Sequence, residues 1–314
     1  MLTVEKKYLL NGIILILEYL FGILINMFIA VVISLDWFRR QHITSCDAVG
    51  LVIAVSRMFV LSGTMVYIVL LIVYRGLCVA VWVDLVFLFF GVFLSISSFW
   101  FTALLYVYYC VTIANFRHLL FACLKVKIPQ LMPWLILWCT VVSLLYALTS
   151  PWFYAVFLNN SATIFFGNNS WKDSTIETVH WKPMLYYSLG YAPPFLIFCV
   201  AAVLLIASLF RHTKRMQGSA SDFSCPRMDV HYRAVKCVVA FFLLFAAYCA
   251  ACLFETMGLL LTQETWDFVT PAITQWYPFV HSALLIRSYP KLNKAAGKVL
   301  RHARCWKQRA VPEE

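Results

Sequence analysis

Charged residues are scarce in this sequence. Asp, Glu, Lys and Arg make up 12% of the 314 residues, whereas hydrophobic residues make up 63%. Soluble domains carry roughly a quarter charged residues and about half apolar ones. The shortage of charge therefore excludes an ordinary soluble domain and predicts an all-α membrane protein.

The sequence also lacks the short motifs that carry enzyme chemistry. It contains no metal-ligand cluster, no nucleotide-binding loop and no nucleophile elbow. We therefore predict that the protein is not an enzyme and that it needs no cofactor and no metal. A haem-carrying membrane cytochrome is also disfavoured, because it needs paired intramembrane histidines and only His281 falls clearly within an apolar stretch.

Long apolar stretches account for nearly the whole chain. Each exceeds the ~20 residues that a helix needs to cross the hydrocarbon layer. The first has no small-residue cleavage site after it, so we interpret it as an uncleaved span rather than a signal peptide. The seven predicted spans lie at about 9–35, 48–74, 79–113, 131–153, 184–210, 234–261 and 269–289. They predict a seven-span domain, residues 1–289, followed by a basic tail, residues 290–314.

Basic residues are distributed unevenly among the connections. Connections one, three and five together with the tail hold nineteen of the 25 Lys and Arg residues, and the N-terminus and other connections hold five. The positive-inside rule then places the N-terminus outside and the C-terminus in the cytoplasm. The net charge of +11 belongs to the inner membrane surface and does not indicate nucleic-acid binding.

The connection at about 154–183 is the largest segment on the predicted outer side. It contains two glycosylation sequons, which begin at Asn159 and Asn168. Their shared position supports the orientation derived from the basic residues. The same connection contains no cysteine, so it cannot form the disulfide to span three that is typical of rhodopsin-like receptors.

Arg57 lies near the middle of the second apolar stretch. A guanidinium there costs at least ~3 kcal/mol and marks a functional site by default. Polar residues at similar depth supply partners: Asn26 in span one, Ser98 and Thr102 in span three, and His281 and Ser282 in span seven. We predict that Asn26, Arg57, His281 and Ser282 form a polar network that holds the spans together and, by repacking, switches them.

Seven helices with an outer N-terminus and a basic inner face are typical of a G-protein-coupled receptor. A small-solute transporter is the alternative from a different class, although the sequence shows no paired halves with broken helices. The usual rhodopsin-like motifs are missing: span three ends in "TIANFRHLL", span six contains "FAAYCAACLFE", and span seven ends in "IRSYPKL".

Several short segments are instead similar to those of one receptor family. They occur in order along almost the whole chain: "GILINMFI" at 22–29, "DWFRRQ" at 36–41, "AVSR" at 54–57, "IANF" at 113–116, "LLIASLFRHTKRMQ" at 204–217, "HYRAVK" at 231–236 and "HSALLI" at 281–286. The sequence thus resembles the vertebrate bitter taste receptors, the type 2 taste receptors. A type 1 vomeronasal receptor is the nearest alternative.

The resemblance implies partners and site residues. It implies a plasma-membrane receptor for small organic bitter compounds that couples to a gustducin-type heterotrimeric G protein. Membrane lipid or sterol is a further candidate partner. It also favours Asn168 over Asn159 as the glycosylated residue. In the cytoplasmic cleft, it implies G-protein contacts at Ile113, Asn115, Phe116, His212, Arg215, Met216, His231 and Lys236. The structural alternative is that these charges only fix the topology.

Helical spacing indicates a ligand pocket toward the outside. On span three, small and polar residues recur at intervals of three and four, and on span six Tyr248, Cys252 and Glu255 share one face. The resemblance implies ligand contacts at Gly91, Ser95 and Pro271. The full predicted pocket comprises Asp84, Leu88, Gly91, Val92, Ser95, Tyr191, Tyr248, Cys252, Glu255, Pro271 and Thr274. The alternative is that the small residues let helices pack closely and that Glu255 lies at the membrane interface.

The basic tail carries an apolar stripe among its lysines and arginines. The stripe consists of Leu292, Ala296, Val299, Ala303 and Trp306. This pattern predicts a short amphipathic helix lying on the inner leaflet.

Overall fold

The structure is a computed structural model of the full chain. It describes the backbone of residues 2–73, 81–114, 119–166, 172–218, 225–258 and 266–309. Side chains are described for residues 12–70, 73, 82–114, 121–153, 185–186, 188–211, 214, 235–252 and 276–302. Structural statements below refer to these residues.

The described residues form eight helices, and no strand occurs among them. The helices are α1 (Leu2–Arg40), α2 (Ser45–Val73), α3 (Val81–Ile113), α4 (Leu119–Phe166), α5 (Lys172–Gly218), α6 (Cys225–Gly258), α7 (Trp266–Ser288) and α8 (Pro290–Arg309). The prediction of an all-α protein is therefore confirmed for this part of the chain. α4 and α5 extend into the predicted loop at 154–183, which leaves only residues 167–171 between them.

Six of these helices contain a described segment that is long and apolar enough to cross a membrane. The segments are Gly12–Arg40, Ser45–Leu70, Trp82–Ile113, Phe121–Phe153, Ser188–Arg211 and Val235–Cys252. The side chains of α7 are described only from residue 276 onward. Large apolar side chains such as Leu24, Phe59 and Trp134 are more than 60% exposed, as a lipid-facing surface requires.

α3 occupies the centre of the bundle. Every residue from 96 to 106 is buried, and a helix that is buried on all sides lies inside a protein rather than at its surface. α3 packs against α2, α4 and α5, and α7 closes the bundle by contacting α1 and α6. Polar groups near the middle of α3 are therefore within reach of several helices.

The connection from α1 to α2 also anchors α8. Gln41, with φ of 52°, ends α1, and Thr44 caps α2 by exchanging hydrogen bonds with Asp47. The Asp47 carboxylate accepts hydrogen bonds from Tyr289 at 2.8 Å and from Lys291 at 3.1 Å. Lys291 also pairs with Asp36 at 2.6 Å. These contacts fix the start of α8 against the ends of α1 and α2.

α4 and α5 approach each other closely at Gly190. The hydroxyl of Tyr146 donates to the Tyr186 carbonyl at 2.6 Å, and the two tyrosine rings stack at 4.6 Å. A Cβ atom at Gly190 would lie 2.5 Å from Cζ of Tyr146. Glycine is needed here because the rigid ring has to occupy that space.

We predict that Gly190→Ala lowers the stability of the purified protein by about 1–3 kcal/mol, since the added methyl group must displace the Tyr146 ring. Thermal unfolding in detergent measures the effect. Gly63→Ala is the matched control, because no atom lies within 4 Å of its added Cβ and alanine favours a helix over glycine. Equal melting temperatures for the two variants would contradict the prediction.

Candidate functional site

Arg57 joins three helices inside the bundle. Its side chain is 2% exposed. Nη1 donates to Oγ of Ser282 at 2.9 Å and contacts Nδ1 of His281 at 2.9 Å, and Nε lies 3.4 Å from Oγ of Ser98. The guanidinium of α2 is thereby tied to α3 and α7.

The contact with Arg57 fixes the tautomer of His281. A guanidinium can only donate hydrogen bonds, so Nδ1 of His281 is the acceptor and the ring proton lies on Nε2. His281 is 1% exposed and packs edge-on against Phe241, with ring centroids 4.9 Å apart. The neutral imidazole places no second positive charge beside the arginine.

The polar network continues from α7 to α1. Ser282 donates to Oδ1 of Asn26 at 2.8 Å, and Nδ2 of Asn26 donates to the Gly22 carbonyl at 2.8 Å. Asn26 and Ser282 are fully buried. The structure thus brings together all four residues predicted for the network: Asn26, Arg57, His281 and Ser282. Their role in activation stays a prediction.

Thr102, a further predicted partner of Arg57, makes a different contact. Its hydroxyl donates to the Ser98 carbonyl at 2.7 Å, four residues earlier on α3. A threonine inside a helix often satisfies its hydroxyl in this way. Ser98, one turn away, provides the contact from α3 to Arg57.

An aromatic cluster surrounds the arginine on one side. Cζ of Arg57 lies 5.6 Å from the ring centroid of Tyr277, within cation–π range. Phe99 lies among rings of α5, α6 and α7: its centroid is 5.0 Å from Tyr191, 4.9 Å from Tyr248 and 5.7 Å from Tyr277. Two predicted ligand residues, Tyr191 and Tyr248, therefore pack directly against the core beside Arg57.

Most predicted ligand residues with described side chains line one cavity. It measures about 700 Å³ between α2 and α3, and its walls include Asp84, Leu88, Gly91, Val92, Ser95 and Tyr191. Tyr67 donates to Asp84 at 3.2 Å. A Cβ at Gly91 would have no atom within 4 Å, so this position leaves open space, as a ligand pocket requires. Ligand contact at these residues stays a prediction.

A smaller cavity adjoins Arg57. It measures about 160 Å³ and is lined by residues of α1, α2, α3, α6 and α7, among them Glu18, Arg57, Ser95 and Tyr248. Ser95 lines both this cavity and the larger one. The two spaces therefore meet at the same turn of α3.

A third cavity lies at the end of the bundle where α8 begins. It measures about 790 Å³ and is bounded by α2, α3, α5, α6, α7 and α8. Two predicted G-protein contacts, Ile113 and Lys236, line it together with Tyr109 and Arg287. The cavity is large enough to admit part of another chain.

Cys252, a further predicted ligand residue, is half-buried on α6. The other predicted site residues lie outside the described side chains: Glu255, Pro271 and Thr274 of the pocket; Asn115, Phe116, His212, Arg215, Met216 and His231 of the G-protein face; and Asn159 and Asn168 of the sequons.

Glu18 is a site residue that the sequence analysis missed. It is 4% exposed and lies on the buried face of α1, four and eight residues before Gly22 and Asn26. An acidic residue within the first apolar stretch was the available signal. Tyr277 and the contacts of Asp47 with Tyr289 and Lys291 were also missed.

Comparisons with known proteins agree on one family. A family profile described as "Taste receptor protein (TAS2R)" matches residues 1–304. "Taste receptor type 2 member 7" of Pan troglodytes is 32% identical over 291 residues, which cover 90% of this chain and 89% of that protein. "Taste receptor type 2 member 39" of Homo sapiens is 30% identical over 283 residues, which cover 90% of this chain and 83% of that protein.

We predict that Ser282→Ala destabilises the purified protein by about 1–2 kcal/mol, because Arg57 and Asn26 each lose a buried hydrogen-bond partner. Thermal unfolding measures the loss. Ser288→Ala on the same helix is the control, since the Ser288 hydroxyl donates to the Leu285 carbonyl of its own turn and lies outside the Arg57 network. A loss in the control as large as that in Ser282→Ala would contradict a special role for the network.

Proposed function

The chain belongs to the TAS2R taste receptor family, whose members are multi-pass membrane receptors and not enzymes, and from this premise we propose that it is a G-protein-coupled bitter taste receptor. It binds small organic bitter compounds in an outer cavity between its transmembrane helices. Binding activates a gustducin-type heterotrimeric G protein on the cytoplasmic side.

The position of the Arg57 network carries this proposal. Along α3, Ser95 of the ligand-side cavity, Ser98 of the network and Tyr106 of the α8-end cavity follow one another. Ser95 and Tyr106 are eleven residues apart, which is about 16 Å along a helix. The network thus lies between the two cavities, where a change in helix packing at one is transmitted to the other.

The ligand side would be the outer end of a seven-span bundle. We propose that α1 to α7 cross the plasma membrane with the N-terminus outside, that residues 1–289 form the receptor domain and that residues 290–314 are a cytoplasmic tail. This orientation places the sequons of Asn168 and Asn159 outside and the α8-end cavity inside. An agonist shifts the equilibrium between two helix arrangements by its difference in affinity for them.

The G-protein side would be the cavity where α8 begins. Ile113 and Lys236 line it, and the motifs that contain Asn115, Phe116, His212, Arg215, Met216 and His231 would surround it. The basic face of α8 would rest on anionic headgroups of the inner leaflet. Membrane lipid or sterol is a further proposed partner of the apolar outer surface.

Expression in cells with a chimeric G protein tests the function. We expect a calcium response to at least one member of a bitter-compound panel and none in cells that lack the chimeric G protein. Absence of a response to every compound, with receptor present at the cell surface, would contradict the proposal. Solute uptake without G-protein coupling would favour a transporter instead, and responses confined to pheromone-like compounds would favour a vomeronasal type.

We predict that Arg57→Leu abolishes signalling, or delivery to the cell surface, for all agonists together. The reason is that removal of the guanidinium leaves the Ser98, His281 and Ser282 side chains without their common partner. Dose–response curves corrected for surface expression measure the effect. Arg301→Leu, at an exposed residue of α8, is the control. Loss of the response to some agonists only would show that Arg57 acts as a ligand contact.

A further inference from the structure

Glu18 presents a carboxylate to the small cavity beside Arg57. Its side chain is 4% exposed and lines that cavity together with Tyr19 and Thr64. Within the described part of the chain, Glu18 has no hydrogen bond and no ion pair. A carboxylate inside a membrane helix is costly and is generally kept for a function. The packing of α1 does not account for it.

The size of the cavity limits what it holds. Its volume of about 160 Å³ is close to that of an engineered cavity of about 150 Å³ that binds benzene. Apolar side chains, including Leu15, Leu61, Met65 and Ile68, form much of its wall. A single six-membered ring therefore fits, with its polar substituent directed at the carboxylate.

The charges around the cavity limit the chemistry of that substituent. Glu18 and Arg57 line the same small space. A cationic ligand would face the guanidinium in surroundings of low dielectric constant, where repulsion is strong, and an ionised ligand of either sign would lose its hydration on entering. An uncharged N–H or O–H donor avoids both conflicts and satisfies the acceptor.

We infer that Glu18 forms a ligand subsite below the main cavity, which takes the uncharged, ring-sized end of an agonist that carries an N–H or O–H donor. Phenols and cyclic amides are the chemical class. Ser95 lines both cavities, so one molecule can extend from the larger space into the smaller one. The inference rests on the proposed ligand-binding function and adds a specificity determinant to it.

Matched pairs of probes test the subsite. Each pair consists of a monocyclic phenol or lactam and its O- or N-methylated analogue, and two readouts are used: calcium potency in cells, and the melting temperature of the purified receptor. Leaving a buried acceptor without its hydrogen bond corresponds to roughly a 5- to 100-fold difference in affinity. We expect the donor to be at least about tenfold more potent than its methylated analogue in the parent receptor.

Variants at Glu18 then separate the hydrogen bond from cavity shape. Glu18→Met removes the acceptor, and we expect the potency ratio within each pair to fall to about one. Glu18→Gln keeps one acceptor oxygen in nearly the same shape, and we expect an intermediate ratio. Leu15→Met alters the same wall without changing a polar atom, so it should change both members of a pair alike and preserve the ratio.

Each outcome decides for or against the subsite. A ratio that survives in Glu18→Met overturns it, and so does a parent receptor that shows no preference for donors in either readout, which would mean that water alone occupies the cavity. If Glu18→Met does not reach the cell surface, Glu18→Gln and the parent's donor preference decide. The melting-temperature readout needs no G protein, so it separates the subsite from the proposed function. Stabilisation by donors without any signalling supports the subsite and contradicts the proposed function. Signalling whose donor preference is unchanged in the Glu18 variants supports the proposed function and contradicts the subsite.

Discussion

One buried guanidinium sets the arrangement of the bundle core. Arg57 is 2% exposed, and a charged group in these surroundings is tolerated only where hydrogen-bond partners replace water. Three helices contribute to that replacement: α3 through Ser98, α7 through His281 and Ser282, and α1 through Asn26, which Ser282 contacts in turn. Since these partners lie on three different helices, the helices cannot slide past one another without breaking these bonds. The register of α1, α2, α3 and α7 follows from this one requirement.

The same requirement makes the core suited to a switch. A packed apolar core tolerates small adjustments poorly, whereas a set of hydrogen bonds around one donor has a limited number of discrete alternatives. The aromatic cluster centred on Phe99 connects Arg57, through Tyr277, to Tyr248 of α6 and Tyr191 of α5. Movement of α6 or α5 therefore changes the packing around Arg57. At the other end, Tyr289 and Lys291 hold α8 to Asp47 of α2, so the helix that bears Arg57 is fixed at its cytoplasmic end as proposed here.

The sequence predicts the polar network well because depth in a membrane is nearly linear along each helix. Asn26, Arg57, Ser98, His281 and Ser282 lie at similar depths, and polar groups at one depth have few alternatives to one another in an apolar medium. Thr102 was also placed near Arg57, yet it satisfies its hydroxyl within α3, a local option that depth alone does not exclude.

Glu18 and the contacts of Asp47 were missed: their identification depends on which face of a helix points inward and on contacts between distant parts of the chain. The extension of α4 to Phe166 and of α5 from Lys172 was missed as well, because apolar length indicates the membrane-embedded part of a helix and not where the helix ends.

In the receptor proposed here, ligand recognition and transmission would be carried by largely different residues. The walls of the larger cavity come mainly from α2 and α3 around Gly91, whereas the contacts of Arg57 come from Ser98, two turns further along α3, and from His281 and Ser282 of α7. Val60, Thr64 and Ser95 line both cavities, and Glu18 shares the smaller one with Arg57. A ligand that fills only the larger space acts on the arginine indirectly, through helix positions and the Phe99 cluster. A ligand that reaches Glu18 changes the electrostatic surroundings of Arg57 itself. The depth that a ligand reaches, and not only its affinity, is then what determines how directly it acts on the switch.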